Sequence, residues 1–242
     1  MPVNSSPKIK TQRSGSTGWF RGFTFIFSVI LGCQAFWLLA AELSRPESIT
    51  FPADPQTSAD ATANRSAAHR AAEFGLIRGD LWADNALTYA DVFSPAGPTQ
   101  KATDDSNTVQ QARDVAERAL SLAPHDARIW LVLASIVSRF DWLNGKASAA
   151  LRMTYYTGPN EIKLIPSRLL LAVTLPAISD KDFQELVARD LRIIVNRKPD
   201  LKPAILNAYR SATPEGQQFI RDTLKELDSN LLSNLQQMRN EG

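Results

Sequence analysis

Residues 22–41 read GFTFIFSVILGCQAFWLLAA, an uncharged run bracketed by Arg21 and Glu42. A helix rising 1.5 Å per residue covers roughly 30 Å over such a run, the thickness of a bilayer's hydrocarbon core. Trp19 and Phe20 at one end and Trp37 near the other suit the interfacial preference of aromatic rings. The run therefore predicts a membrane-spanning helix over 19–43. Two processed forms are alternatives. A cleaved signal peptide has a shorter apolar core and a small-x-small site, whereas Leu38 or Leu39 stands at the −3 position here. Ile30-Leu31-Gly32-Cys33 resembles a bacterial lipobox, but cleavage there leaves the apolar stub CQAFWLLAA where a polar tether is expected.

Charge assigns the sides. Residues 1–21 hold Lys8, Lys10, Arg13 and Arg21 and no acid, which leaves 23 basic against 25 acidic residues from residue 22 onward. The positive-inside bias places the N-terminus in the cytoplasm and residues 44–242 outside, the periplasm of a bacterium whose inner membrane carries the span. A net-acidic body also excludes the basic face that nucleic-acid binding needs. Within the span, Thr24, Ser28 and Gly32 recur every four residues. That spacing admits a second span for homo- or hetero-association, although small residues are ordinary in spans.

Outward from the span, residues 1–18 are polar and Ser/Gly-rich and are expected to be a disordered tail. Residues 44–58, SRPESITFPADPQTS, carry three prolines and predict an extended linker. Beyond it the apolar pattern is helical, with no convincing period-two stretch. Helices are expected at about 59–76, 80–93 and 107–123, then one opened by His125 or Asp126 whose apolar face runs to Val137, then at about 146–156 and 160–174, and from a Ser179 cap to about Arg197. Short helices broken by Pro199, Pro203 and Pro214 complete the chain. The composition, 44% hydrophobic and 21% charged, is that of a globular body.

Trp82-x2-Asn85-Ala86-x2-Tyr89, followed by Ala112, Ala119 and Pro124, resembles a tetratricopeptide repeat. A second copy begins Trp130-x2-Leu133-Ala134 and continues with Ala147, Leu151 and Pro159. Asn85 stands where the pattern prefers Leu, and the first copy carries an insertion of about 14 residues between its helices. The resemblance covers residues 80–160 and leaves 160–242 unassigned. The chain as a whole resembles single-span envelope proteins of alphaproteobacteria. The fold class expected is all-α: an N-terminal transmembrane helix, then a tetratricopeptide-like helical-hairpin solenoid within 59–242.

The resemblance implies a concave groove lined from the first helix of each repeat. Mapped here, the face includes Arg128, Leu131, Ser135 and Ser138, with Arg139 beside it. Trp142 lies in the Arg139-Phe140-Asp141-Trp142 cluster, residue types that dominate binding hot spots, though its aromatics also suit a helix corner. The Lys/Asn set that clamps a partner's terminal carboxylate is missing. One cysteine, Cys33, excludes a disulfide framework and multi-cysteine metal sites. No phosphate loop, G-x-S-x-G or H-E-x-x-H occurs, so no catalytic residue, metal or cofactor is assigned. Three functions are expected to compete. The first is an exoplasmic scaffold that binds a protein or peptide in envelope or polysaccharide-export assembly. The second is an accessory subunit docked through its span onto a membrane enzyme or transporter. The third is a glycan-binding domain using Trp82, Trp130 or Trp142.

Overall fold

The structure, a computed structural model, describes residues 16–47, 49–52, 54–93, 106–140 and 145–233. Among them every regular element is helical. The first, α1 (Ser16–Leu43), contains the uncharged run, and Trp19–Leu43 is the one helix long and apolar enough to cross a membrane. Its large apolar side chains, from Trp19 to Leu39, are exposed. Only its last turns touch the body.

The body contains α2 (Pro55–Ala63), α3 (Arg65–Gly75), α4 (Gly79–Leu87), α5 (Ala90–Phe93), α6 (Ser106–Leu122), α7 (Ala127–Phe140) and α8 (Lys146–Thr157). It continues through α9 (Ile165–Ala172), α10 (Lys181–Arg197), α11 (Lys202–Ser211) and α12 (Pro214–Leu227). Helices adjacent in sequence, or separated by one short helix, pack as neighbours in space: α1 on α3, α3 on α4, α4 on α6, α6 on α7 and α7 on α8. The α7 helix divides the core. Ala127, Leu131, Ala134 and Val137 pack into the C-terminal cluster with α8 to α12, whereas Ile129, Val132 and Ile136 pack into the cluster of α2 to α6.

Two helix starts repeat the same local geometry. The Trp82 indole N–H donates to the Leu76 carbonyl at 3.1 Å, and the Trp130 indole N–H donates to Pro124 at 2.7 Å, six residues upstream in both cases. At the same two starts a small residue faces the end of another helix. A Cβ on Gly79 would stand 2.7 Å from the Ala123 Cβ just after α6, and one on Gly158 just after α8 would stand 2.4 Å from the Ala127 Cβ. The beginning of α4 thus meets the end of α6, as the beginning of α7 meets the end of α8.

Several expected boundaries change. The helix expected over 80–93 ends at Leu87 and resumes as α5 at Ala90, and the one expected over 160–174 is a 3-10 turn at Ile162–Leu164 followed by α9. The first body helix begins at Pro55, because Asp54 and Thr57 form a reciprocal capping box with Pro at the first turn, and it breaks at Asn64. The cap of α10 is Asp180, whose carboxylate accepts the Asp182 N–H at 2.9 Å; Ser179 is consumed in the preceding 3-10 turn. The expected linker lies on the body instead of standing free. Ile49 is buried, and the Phe51 ring sits 5.9 Å from that of Phe93. Arg45 binds Asp84 at 2.7 Å. Proline forbids helix there but permits an extended strip whose alternate apolar side chains, Ile49 and Phe51, reach the core.

The C-terminal half is pinned by a fully buried ion pair. Arg168 donates from Nη2 and Nε to the two Asp190 oxygens at 2.6 and 2.8 Å, and from Nη1 to the Gly158 carbonyl at 2.9 Å. Its guanidinium lies 4.4 Å from the centre of the Tyr155 ring. Burial raises the Asp190 pKa and Arg168 opposes it, which is the balance expected of a desolvated pair.

Candidate functional site

A cavity of about 420 Å³ opens between α7, α9, the segment after α9, the end of α11 and the 49–52 strip. Its size falls within the range of small-ligand and peptide-anchor pockets. The lining has two chemistries. Phe51, Phe93, Leu170, Leu171, Leu175 and Pro176 supply apolar walls. Ser135, Ser138, Ser167, Thr174 and Ser211 add hydroxyls, and among the described residues Arg139 is the one charged side chain in the lining.

Helix geometry explains the arrangement. Ser135, Ser138 and Arg139 are spaced i, i+3, i+4 on α7, on the side its two buried faces leave free. Opposite them, Ser167, Leu170, Leu171 and Thr174 follow the i, i+3, i+4, i+7 pattern of one face of α9 and its end. Arg139 reaches across α5 and donates from Nη1 to the Val92 carbonyl at 2.7 Å. Among the described residues no carboxylate pairs with it. Desolvation lowers its pKa, but a guanidinium begins so far above neutrality that the charge remains. The hydroxyls are partly committed to the backbone, as where Ser138 donates to the Ser135 carbonyl at 2.9 Å and Thr174 to Leu171 at 2.8 Å. Each retains acceptor capacity, and their short side chains leave the cavity open.

The sequence-expected groove is brought together in part. Ser135, Ser138 and Arg139 share the cavity. Leu131 does not line a groove: it is fully buried in the C-terminal cluster, which also contains Leu164, Ile165 and Leu169. This buried residue divides the face. On its other side Arg128 lines a separate depression with Asp80, Asp126 and Glu161, and its guanidinium is committed to Asp126 at 2.7 Å. That bond raises the Arg128 pKa. Trp142 lies outside the described residues. Trp82 and Trp130 are half-buried, with both indole N–H groups spent on backbone carbonyls. Thr24, Ser28 and Gly32 stand exposed on α1, where Thr24 donates back to the Phe20 carbonyl at 2.8 Å.

Sequence reasoning missed the α9 wall and the two phenylalanines. The α9 signal was present in the 167–174 periodicity, but nothing in one sequence aligns that face with α7. Phe51 was hidden in a proline-rich stretch with the composition of a spacer.

Compared with protein-family models, curated proteins and solved structures, the chain matches none of them. What fold and site together define is a class: an all-helical protein with one N-terminal helix long and apolar enough to span a membrane, and a cationic, hydroxyl-lined cavity in its body.

Proposed function

We propose that this protein is a membrane-tethered scaffold whose body binds a peptide segment of an envelope partner in the α7–α9 cavity. The observation that carries the reading is the cavity's division of labour. Apolar walls suit a hydrophobic side chain, and Arg139, prepositioned by Val92, suits an adjoining acidic group. The repeated Trp and Gly/Ala contacts of α4–α6 and α7–α8 support a tetratricopeptide-like arrangement, a grammar suited to presenting such grooves. The proposed topology puts the body on the exoplasmic, periplasmic side of a bacterial inner membrane. It rests on the cations before residue 22. Arg45, the first cation after the span, spends its charge on Asp84.

For the glycan alternative, Trp82 and Trp130 would have only their ring faces to offer, since both indole N–H groups donate to backbone carbonyls. The test of the peptide reading is anisotropy titration of the purified full chain with labelled peptides that place Leu or Phe beside Asp or Glu. Saturable binding weakened tenfold or more by Arg139→Glu, with the melting temperature held, supports it. Equal binding by wild type and Arg139→Glu refutes it.

A further inference from the structure

The end of α1 and the turn between α3 and α4 are registered against one another, and the register has a membrane-facing side. Ala41 is buried among Ala71, Ala72 and Leu81. Four residues back along α1, the Trp37 indole N–H donates to the Phe74 carbonyl at 2.6 Å, and the two rings meet edge to face at 6.3 Å. Passing from Ala41 to Trp37 thus moves alongside the passage from Ala71 to Phe74. At 1.5 Å per residue, Phe74 lies about 6 Å inward of the end of the uncharged run.

Charge marks the boundary on the other side. Arg78 binds Glu42 at 2.8 Å and Asp80 at 2.6 Å, so the chain is back at the level of Glu42 immediately after the turn. Between these levels protrude Phe74, Leu76 and Ile77, exposed by 42%, 55% and 81%. Glu73, on the flank, pairs back with His69 at 3.3 Å, one helical turn toward the charged level.

The turn's backbone is also suited to an apolar surrounding. A helix end normally leaves carbonyls for water, and in lipid each unmet group is costly. Here three successive carbonyls have partners within the protein: Phe74 accepts from Trp37, Gly75 from the Arg78 N–H at 2.8 Å, and Leu76 from Trp82. Leu76 itself has a φ of 39°, a conformation that favours glycine, so an apolar side chain is kept where backbone preference argues against one.

We infer that the α3–α4 turn, Phe74 to Ile77, is immersed in the interfacial layer of the bilayer that α1 spans. The body is then held to lipid at two places, a span and a hydrophobic turn, with Trp37 between them. This rests on the reading of α1 as a retained span, and the experiment separates the two.

The full chain is reconstituted in phosphatidylcholine vesicles and labelled with an environment-sensitive fluorophore at one cysteine at a time. The sites are native Cys33, then Ile77→Cys and Glu226→Cys in a Cys33→Ser background. Quenching is compared between doxyl-labelled lipids and aqueous iodide. Lipid quenching at 33 and 77, with iodide quenching at 226, is the expected result. Lipid quenching at 33 but iodide quenching at 77 overturns the turn's immersion and leaves the span in place. Iodide quenching at both 33 and 77 overturns the span reading and the inference with it. Shielding of 77 from both quenchers means that protein covers the turn, which also overturns it. Far-ultraviolet circular dichroism of each labelled chain verifies that the substitution has not unfolded the body.

Discussion

Replacing Asp190 by Ala should unfold the C-terminal half far more readily than removing the entire ion pair. The substitution deletes two charge-assisted hydrogen bonds, at 2.6 and 2.8 Å, from a guanidinium that has no access to water. Arg168 keeps the Gly158 carbonyl at 2.9 Å, a long bond to the Thr154 carbonyl at 3.5 Å and the Tyr155 ring. An abandoned buried charge costs about 3–5 kcal/mol. For a body of this size that converts to a fall in melting temperature of roughly 6–20 °C. The double substitution Arg168→Met with Asp190→Leu removes both charges and refills the volume. Its remaining penalty is the lost bond to the Gly158 carbonyl, which still accepts the Glu161 N–H at 3.3 Å, so about 1 kcal/mol is set against the recovered desolvation of two ions. It should therefore melt well above the single variant. Thermal unfolding of the detergent-solubilised full chain at 222 nm reads both, since α1 stays helical in detergent and the change reports on the body. If single and double variants lose the same stability, the pair's contribution is packing alone and the charge argument is wrong.

Gly216→Ala would set a Cβ 2.2 Å from the Val173 carbonyl oxygen, which also accepts the Thr213 N–H, and should cost about 1–3 kcal/mol in urea unfolding. Trp82→Phe and Trp130→Phe each delete one indole hydrogen bond and should cost similar amounts, about 1 kcal/mol beyond any packing loss; sharply unequal losses would argue against equivalent roles. Asp80 is held below the ordinary carboxylate range first by its hydrogen bonds to Arg78. Its contribution is thus fully present at neutral pH and disappears as pH falls below about 3.9, the ordinary Asp value, through the lower folded one. Asp80→Asn should lower stability at pH 7 by less than about 1 kcal/mol and leave acid unfolding less steep, a comparison made by pH-dependent melts. Exchanging residues 19–36 for an unrelated span should leave peptide binding intact if the cavity is the functional site. The exchange has to stop before Trp37, because Trp37 and Glu42 bind the body.

The helical class was legible because amphipathic periodicity is a local signal, and α6, α7 and α8 fall close to the expected ranges, whereas the helix expected over 80–93 is split into α4 and α5. Caps were less secure. Ser179 and Asp180 are both good cap residues, and only the 3-10 turn that absorbs Ser179 decides between them. The groove was half legible. The repeat resemblance groups Arg128, Leu131, Ser135 and Ser138 on one face of α7, but the fate of each depends on what arrives from elsewhere in the chain. The C-terminal cluster seals Leu131, Asp126 claims Arg128, and α9 leaves Ser135 and Ser138 beside a cavity. The linker was misread for the same reason. Proline content reports that a segment is not helical, whereas adhesion of Ile49 and Phe51 depends on a surface far away in sequence.

Arg45–Asp84, Arg78–Glu42 and Trp37–Phe74 clamp the last turns of α1 to the body on three sides of the junction. A clamped joint behaves as a lever and not as a tether. If α1 is the proposed span, any tilt that bilayer thickness imposes on it swings the α7–α9 cavity through the same angle, and the volume the cavity can search is set by the membrane's mechanics. A protein on a floating stalk catches whatever diffuses near its anchor. Under the proposed tethered-scaffold reading, this one would present its cavity at a heading set by α1, which would favour a partner whose own binding segment is held at a matching height above the same bilayer.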